Sequence, residues 1–281
     1  MTVTLGAVIE SFGICHVGKG REDNQDAIRF SVPDTGLTAV HGYLYGVADG
    51  MGGYSHGGIA SSLALETLFT TFYGSNGAST PQKLRQAILQ ANLGVYQAAR
   101  RLGVVRMGTT ITAINVSGQE FHVAHVGDSR AYLVRGGRAI CLTSDHTRVG
   151  DMVRARVLPP EKVRGHAQRS ILSKCVGLEL FVQPDISRIR AKQDDVIILC
   201  TDGIWSVVED EEFGSLAGTS RDPETLCKRI LDRAMNRDTD DNLSVIALYL
   251  RRLDHTAEPR EKRRTWSLTR FLRRSEDPDF Q

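Results

Sequence analysis

The sequence predicts an α+β layered domain, and three patterns carry that prediction. Short β-rich apolar runs recur along the chain, separated by glycine-containing turns. Helical stretches stand among them in groups and do not alternate with them one for one. Aspartates close several of the apolar runs, each next to glycine, serine or asparagine.

Taken in order, Tyr43 to Ala48 is the first clear strand and leads into Asp49-Gly50. A glycine-rich turn follows, then a helical segment from Ile59 to Tyr73. Thr80-Pro81 opens another helix, with an N-cap residue ahead of proline at the first helical position. Thr109 to Val116, Phe121 to Val126, Ala131 to Val134 and Ala139 to Leu142 read as an antiparallel meander with turns at Ser117-Gly118, Gly127-Asp128 and Gly136-Gly137. Residues 145–185 are more polar and contain proline, which predicts a helical flap over one end of the sheet. Val196 to Cys200 is a wholly apolar strand ending at Thr201-Asp202-Gly203. Asp222-Pro223 repeats the capping device before Glu224 to Met235, and Leu243 to Leu250 is the last strand. Composition then turns abruptly to charge, so the chain divides into a domain, 1–252, and a tail, 253–281.

Hydrophobic residues make up 41% of the 281 and charged residues 24%, enough for a sizeable core without disulfides. Five cysteines, odd in number and widely spaced, read as reduced thiols in the cytoplasm. No signal peptide or membrane-length apolar run stands out. Net charge is +2, but the segment from Arg251 onward holds nine basic and six acidic residues, leaving 26 basic and 27 acidic before it. A body so nearly neutral excludes a nucleic-acid-binding role.

The chemistry lies in the acids. Asp49, Asp128, Asp202 and Asp241 each follow or precede an apolar strand, and Asp26 ends the polar run Asp23-Asn24-Gln25-Asp26. Strand ends are rigid mounts, so such carboxylates can converge although distant in sequence. Converging carboxylates repel one another unless a cation compensates, and an all-oxygen donor set suits Mg²⁺, Mn²⁺ or Ca²⁺. His122 and His125, three apart on a strand, face opposite ways and offer no rival site.

Arg21 to Asp26, Asp49 to Gly53, Gly108-Thr109-Thr110, Gly127 to Tyr132, Thr201 to Trp205 and Asp241-Asn242 resemble, in order, the motifs of the metal-dependent type 2C serine/threonine protein phosphatases in their bacterial form. The resemblance runs from about Gly6 to Tyr249. It implies a four-layer αββα sandwich of two antiparallel sheets flanked by helix pairs, and two to three Mn²⁺ or Mg²⁺ ions. Asp49 resembles the carboxylate that bridges two metals, with the Gly50 carbonyl on the second. Asp202 and Asp241 resemble ligands of the first, and Asp128 the ligand of a third. Gln25, Asp26 and Asn242 stand behind the ligands, and Arg21 resembles the phosphate-binding arginine. A metal-bridging hydroxide would then attack phosphoserine or phosphothreonine in proteins, opposing a serine/threonine kinase. Gln25 stands where many relatives have glutamate, and Met51 where eukaryotic relatives carry a histidine proposed as general acid.

Two decoys share the first glycine-rich stretch. Gly13 to Lys19 matches a nucleotide phosphate loop until Gly20 replaces the required Ser or Thr. Cys15 and Arg21 have the Cys-x₅-Arg spacing of cysteine-dependent phosphatases, but acids follow directly. A different alternative is a catalytically weak or inactive phosphatase-like scaffold that binds phosphoproteins. His16 reads as a polar residue beside a turn and Trp205 as core packing. Arg148, Arg154, Arg156 and Arg164 in the flap read as solvated charge, with reception of phosphopeptides as the sharper alternative. The tail mixes six basic residues between Lys262 and Arg274 with Trp266, Leu268, Phe271 and Leu272, and reads as disordered charge or a docking or membrane-surface segment.

Overall fold

Two antiparallel sheets stack face to face at the centre of the chain in its computed structural model, which describes residues 7–31, 36–52, 56–237 and 239–253. The first sheet holds β1 (Val8–His16), β7 (Arg130–Arg135), β8 (Arg138–Cys141), β10 (Val196–Cys200) and β11 (Leu243–Arg252), in the order β1-β11-β10-β7-β8. The second holds β2 (Asp26–Phe30), β3 (Tyr43–Gly52), β5 (Ile111–Ser117), β6 (Glu120–Val126) and β9 (Asp185–Arg190), in the order β2-β3-β5-β6-β9. A short β4 (Met107–Thr109) pairs with the far end of β3.

Strand alternation builds the layers. Tyr45, Val47, Ile114 and Val123 of one sheet meet Leu133, Ile197, Leu199, Ile246 and Leu248 of the other in a shared core. Burial of each such aliphatic side chain contributes about 2 kcal/mol. The opposite face of the second sheet, through Leu44, Ala48, Ala113 and Ala124, packs on α2 (His56–Gly74) and α3 (Thr80–Leu102). The opposite face of the first, through Tyr132, Ile198, Val245 and Ala247, packs on α5 (Asp202–Trp205), α6 (Asp210–Gly218) and α7 (Pro223–Met235). The αββα sandwich is therefore present. The helices α1 (Gly36–His41) and α4 (Arg148–Arg154) are shorter, and α4 with a 3₁₀ turn at Pro160–Lys162 supplies the regular structure of the flap.

Two local readings change. The N-cap of α3 is Ser79, one residue earlier than expected, because Gln82 closes a capping box on its backbone N–H at 2.9 Å. Asp222 caps α7 as predicted, accepting from Thr225 N at 2.8 Å. The expected meander is not one sheet: β5 and β6 pair in the second sheet, β7 and β8 in the first. The turn at Gly127 to Ser129 crosses between them. It needs glycine, since φ is +111° and a Cβ would stand 2.5 Å from Thr110 Cγ2.

The Gly13–Lys19 stretch lies mostly on β1, so it is a strand and not a phosphate loop. Among the described residues no helix is long and apolar enough to cross a membrane. The basic tail expected to dock or lie on a membrane falls outside the described residues, apart from the end of β11 and Leu253.

Candidate metal centre

Both sheets deliver acids to one end of the sandwich. In the second sheet, β2 and β3 pair so that Asp26 stands opposite Asp49. In the first, β10 runs out through Thr201 into Asp202 at the start of α5, and β11 begins just after Asp241-Asn242. The crossing turn brings in Asp128.

The backbone at Asp49 is held on both sides. Its N–H donates to Thr110 Oγ1 at 2.9 Å, and its carbonyl accepts from Thr110 N and Thr109 Oγ1, each at 2.8 Å. Thr110 Oγ1 in turn meets Ser129 Oγ at 2.6 Å, which ties Asp49 to the turn carrying Asp128. Trp205 Nε1 donates to the Asp128 carbonyl at 2.8 Å while its ring is buried in the core, so it fixes that turn and is closed to substrate.

Asp26 is buried; Oδ2 accepts from Thr201 Oγ1 at 2.8 Å, and Oδ1 has no hydrogen-bond partner among the described residues. Burial, then Asp202 and Asp241, push its carboxyl up to about 7. Asp202 is raised to about 6 by burial and by Asp241, and stands within hydrogen-bonding reach of Asp49. Burial raises Asp49 well above the carboxylate range, with Asp26, Asp202, Asp128 and Asp241 adding to the shift. Asp128 is raised likewise, by burial and then Asp202.

The loop from Val17 to Gln25 closes the site from the N-terminal side. Asn242 Nδ2 donates to the carbonyls of Val17 (2.8 Å) and Asp23 (3.0 Å), and its Oδ1 accepts from Gln25 N at 2.8 Å. Gly18, with φ of +82°, lets this loop lie flush on Asp241, because a Cβ there would overlap the Asp241 carbonyl oxygen. Arg21 reaches across 220 residues of sequence to donate from Nη2 to Asp241 Oδ2 at 3.1 Å and from Nε to the Asp240 carbonyl at 3.1 Å. Its side chain is still 53% exposed, so the guanidinium fork has a free flank. His16 Nδ1 accepts from Gly18 N at 2.9 Å and braces the turn.

Gly50 N donates to the Gln25 carbonyl at 3.1 Å, and the Gly50 carbonyl lies against Gly57 at the head of α2. Gln25 thus takes part through its backbone N–H and carbonyl. Cys15 is no nucleophile poised for phosphate. Burial raises its thiol, and Sγ accepts from Asn24 Nδ2 and Ser244 Oγ, each at 3.1 Å.

The flap arginines divide. Arg164 pairs with Glu209 at 2.9 Å and with Asp210, close over Trp205. Arg154 donates to the Asp145 carbonyl at 2.7 Å and pairs with Asp151. Both anchor the flap, and neither is simply solvated charge. Arg148 and Arg156 are exposed. Arg169, not singled out from the sequence, is the flap cation whose charge lowers the Asp202 carboxyl.

The donor set fits a hard divalent cation. Every candidate donor is oxygen, the acids raise one another's pKa, and buried Asp26 Oδ1 lacks a compensating partner. Among the described residues no three acids, imidazoles or thiolates are gathered closely enough to hold an ion unaided, so an ion would have to draw the carboxylates together.

Comparison with known proteins gives one answer. The profile of the family described as protein phosphatase 2C matches residues 13–243. Protein phosphatase PhpP of Streptococcus pneumoniae is 27% identical over 242 residues, 85% of this chain and 96% of that protein. The crystal structure of serine/threonine phosphatase Stp1 from Staphylococcus aureus superposes with a TM-score of 0.79 and 28% identity, over 89% of this chain and 98% of that one. The catalytic domain of the phosphatase PstP, solved with two manganese ions, gives 0.75 and 25% over 86% and 98%.

Proposed function

Since the chain belongs to the protein phosphatase 2C family, we propose the following reading of its site. The protein is a metal-dependent serine/threonine protein phosphatase of the bacterial kind, which removes phosphate from phosphoserine and phosphothreonine in proteins and so reverses serine/threonine kinase signalling. The observation that carries the site assignment is the convergence of Asp26, Asp49, Asp128 and Asp202 from both sheets at one end of the sandwich, beside Asp241, with the carboxyls of the first four pushed up by burial and then by neighbouring acids.

Asp49, Asp202, Asp241 and the Gly50 carbonyl would hold two ions, Mn²⁺ or Mg²⁺, and Asp128 with Asp202 a third. When bound, the ions supply Lewis acidity toward the phosphoryl oxygens and lower the pKa of the attacking water. The protein's own part is positional. Thr109 and Thr110 keep Asp49 at a fixed depth, and Asp26 braces Asp202 through its bond to Thr201. Arg21 turns its free flank to two phosphoryl oxygens, a planar match that also neutralises charge. Displacement then proceeds in line with no covalent intermediate on the chain. Met51 offers no proton, so the leaving alkoxide is protonated from water or from a group outside that position.

The test is hydrolysis of p-nitrophenyl phosphate and of phosphoserine, phosphothreonine and phosphotyrosine peptides. Activity should require Mn²⁺ or Mg²⁺, vanish with EDTA and with Asp49→Ala, and favour the first two peptides. Turnover in EDTA, or an Asp49→Ala protein as active as wild type, would refute the reading.

A further inference from the structure

We propose that the cavity walled by Met51, Gly52, Arg106 and Leu178 is a side-chain subsite for the phosphorylated protein: it receives an apolar side chain flanking the phosphoserine or phosphothreonine, while Arg106 meets an acidic group of the same segment. This rests on the phosphatase reading given above. The cavity measures about 230 Å³ and is open to solvent.

Its position follows from the strand that carries Asp49. Beyond Gly50, β3 pairs with β4, placing Met51 opposite Gly108 and Gly52 opposite Met107. The cavity therefore begins two residues past Asp49, about 7 Å along the strand. In an extended substrate that distance separates a residue from its next-but-one neighbour. A phosphorylated side chain brought to the acids carries its flanking residues to this opening.

The far wall is already built. Asn92 on α3 is buried and clamps the segment around Leu178: Oδ1 accepts from Gly177 N at 2.8 Å, while Nδ2 donates to the carbonyls of Glu179 (3.0 Å) and Leu180 (3.1 Å). Just upstream, Val176 and Thr109 exchange backbone hydrogen bonds of 2.8 and 2.9 Å. Binding would order little that is not already ordered, which preserves affinity.

The lining sets the chemistry. Met51 and Leu178 present apolar surface, and the unbranched thioether of Met51 adapts to differently shaped aliphatic groups. Arg106 is exposed at the rim and supplies the cation. Met51, without a titratable group, thereby contributes contact in place of a proton.

The experiment measures kcat/KM in Mn²⁺ for phosphothreonine peptides carrying Leu, Gly, Glu or Lys at each flanking position in turn. Wild type, Leu178→Asp, Leu178→Met and Arg106→Glu are compared, with p-nitrophenyl phosphate as the substrate that lacks flanks. Wild type should prefer Leu to Gly by about tenfold at one flanking position, the scale of a small apolar contact. Leu178→Asp should abolish that preference and Leu178→Met retain it. Arg106→Glu should reverse the choice of Glu over Lys at a flanking position. Turnover of p-nitrophenyl phosphate should stay within about twofold throughout. A protein that hydrolyses p-nitrophenyl phosphate but shows no flank preference, or keeps it in Leu178→Asp, overturns the subsite alone. A wild-type protein that hydrolyses neither substrate overturns the phosphatase reading beneath it.

Discussion

Asp26 lets the tension at the acid cluster be measured without any turnover. Its carboxyl is buried, lifted from an ordinary 3.8 to about 7, and accepts from Thr201 Oγ1. A group whose folded pKa lies above its unfolded value contributes stability below the unfolded pKa and loses it as pH rises through the folded one. For the metal-free protein this means lost stability from about pH 4 to about pH 7. At about 1.4 kcal/mol per pH unit the full span is on the order of 4 kcal/mol, and more than half of it falls between about pH 5 and about pH 8. Asp26→Asn keeps an acceptor for Thr201 and removes the titration. The assay is urea denaturation of EDTA-treated wild type and Asp26→Asn at both pH values. The variant's stability relative to wild type should grow by roughly 2 to 3 kcal/mol from the lower pH to the higher. A difference that stays constant, or shrinks, would refute the argument that Asp26 is held against its own charge.

Other expectations follow from the same contacts. Thr110→Val removes the acceptor for Asp49 N and the link to Ser129, and should lower kcat or Mn²⁺ affinity about 10- to 100-fold, with Thr110→Ser close to wild type in a metal titration. Arg130, buried and bonded to Asp145 at 2.7 and 2.9 Å over the Trp205 ring, should cost about 3–5 kcal/mol in urea denaturation when changed to Met, because Asp145 is left charged and buried. His122 and His125 are lowered by burial to about 4 and about 3, so each should withdraw stability as pH falls below about 6.5, by about 3 kcal/mol at about pH 4. His122→Gln should flatten that acid slope, and an unchanged slope would place the loss elsewhere.

Asp49, Asp202 and Asp241 were legible in the sequence because each adjoins an apolar strand, and a strand end is a fixed address in any layered fold. What holds them was not. Thr109 and Thr110 could be matched to a motif, but their bonds to Asp49 join positions some 60 apart and exist only once β3 and β4 pair. β1 stayed hidden because Gly13, Cys15 and His16 interrupt its apolar pattern, although Phe12 and Ile14 pack on the core. β9 lies at a sheet edge with mixed exposure, so Asp185–Arg190 carried little apolar signal. The flap arginines show the same limit. Composition cannot separate Arg164, spent on Glu209 and Asp210, from Arg169, whose charge reaches Asp202.

The order β1-β11-β10 has a consequence for biosynthesis. The last of the described strands, Leu243–Arg252, does not lie at an edge but slots between β1 and β10, pairing with both. Until it emerges from the ribosome, those two strands face a gap, and neither Asp241 nor Asn242 has reached the loop that carries Arg21. A growing chain stalled short of that strand would lack Asp241 and Asn242 at the acid cluster and would expose two sticky strand edges. Assembly of the acid cluster thus waits until the two ends of the described domain have found each other.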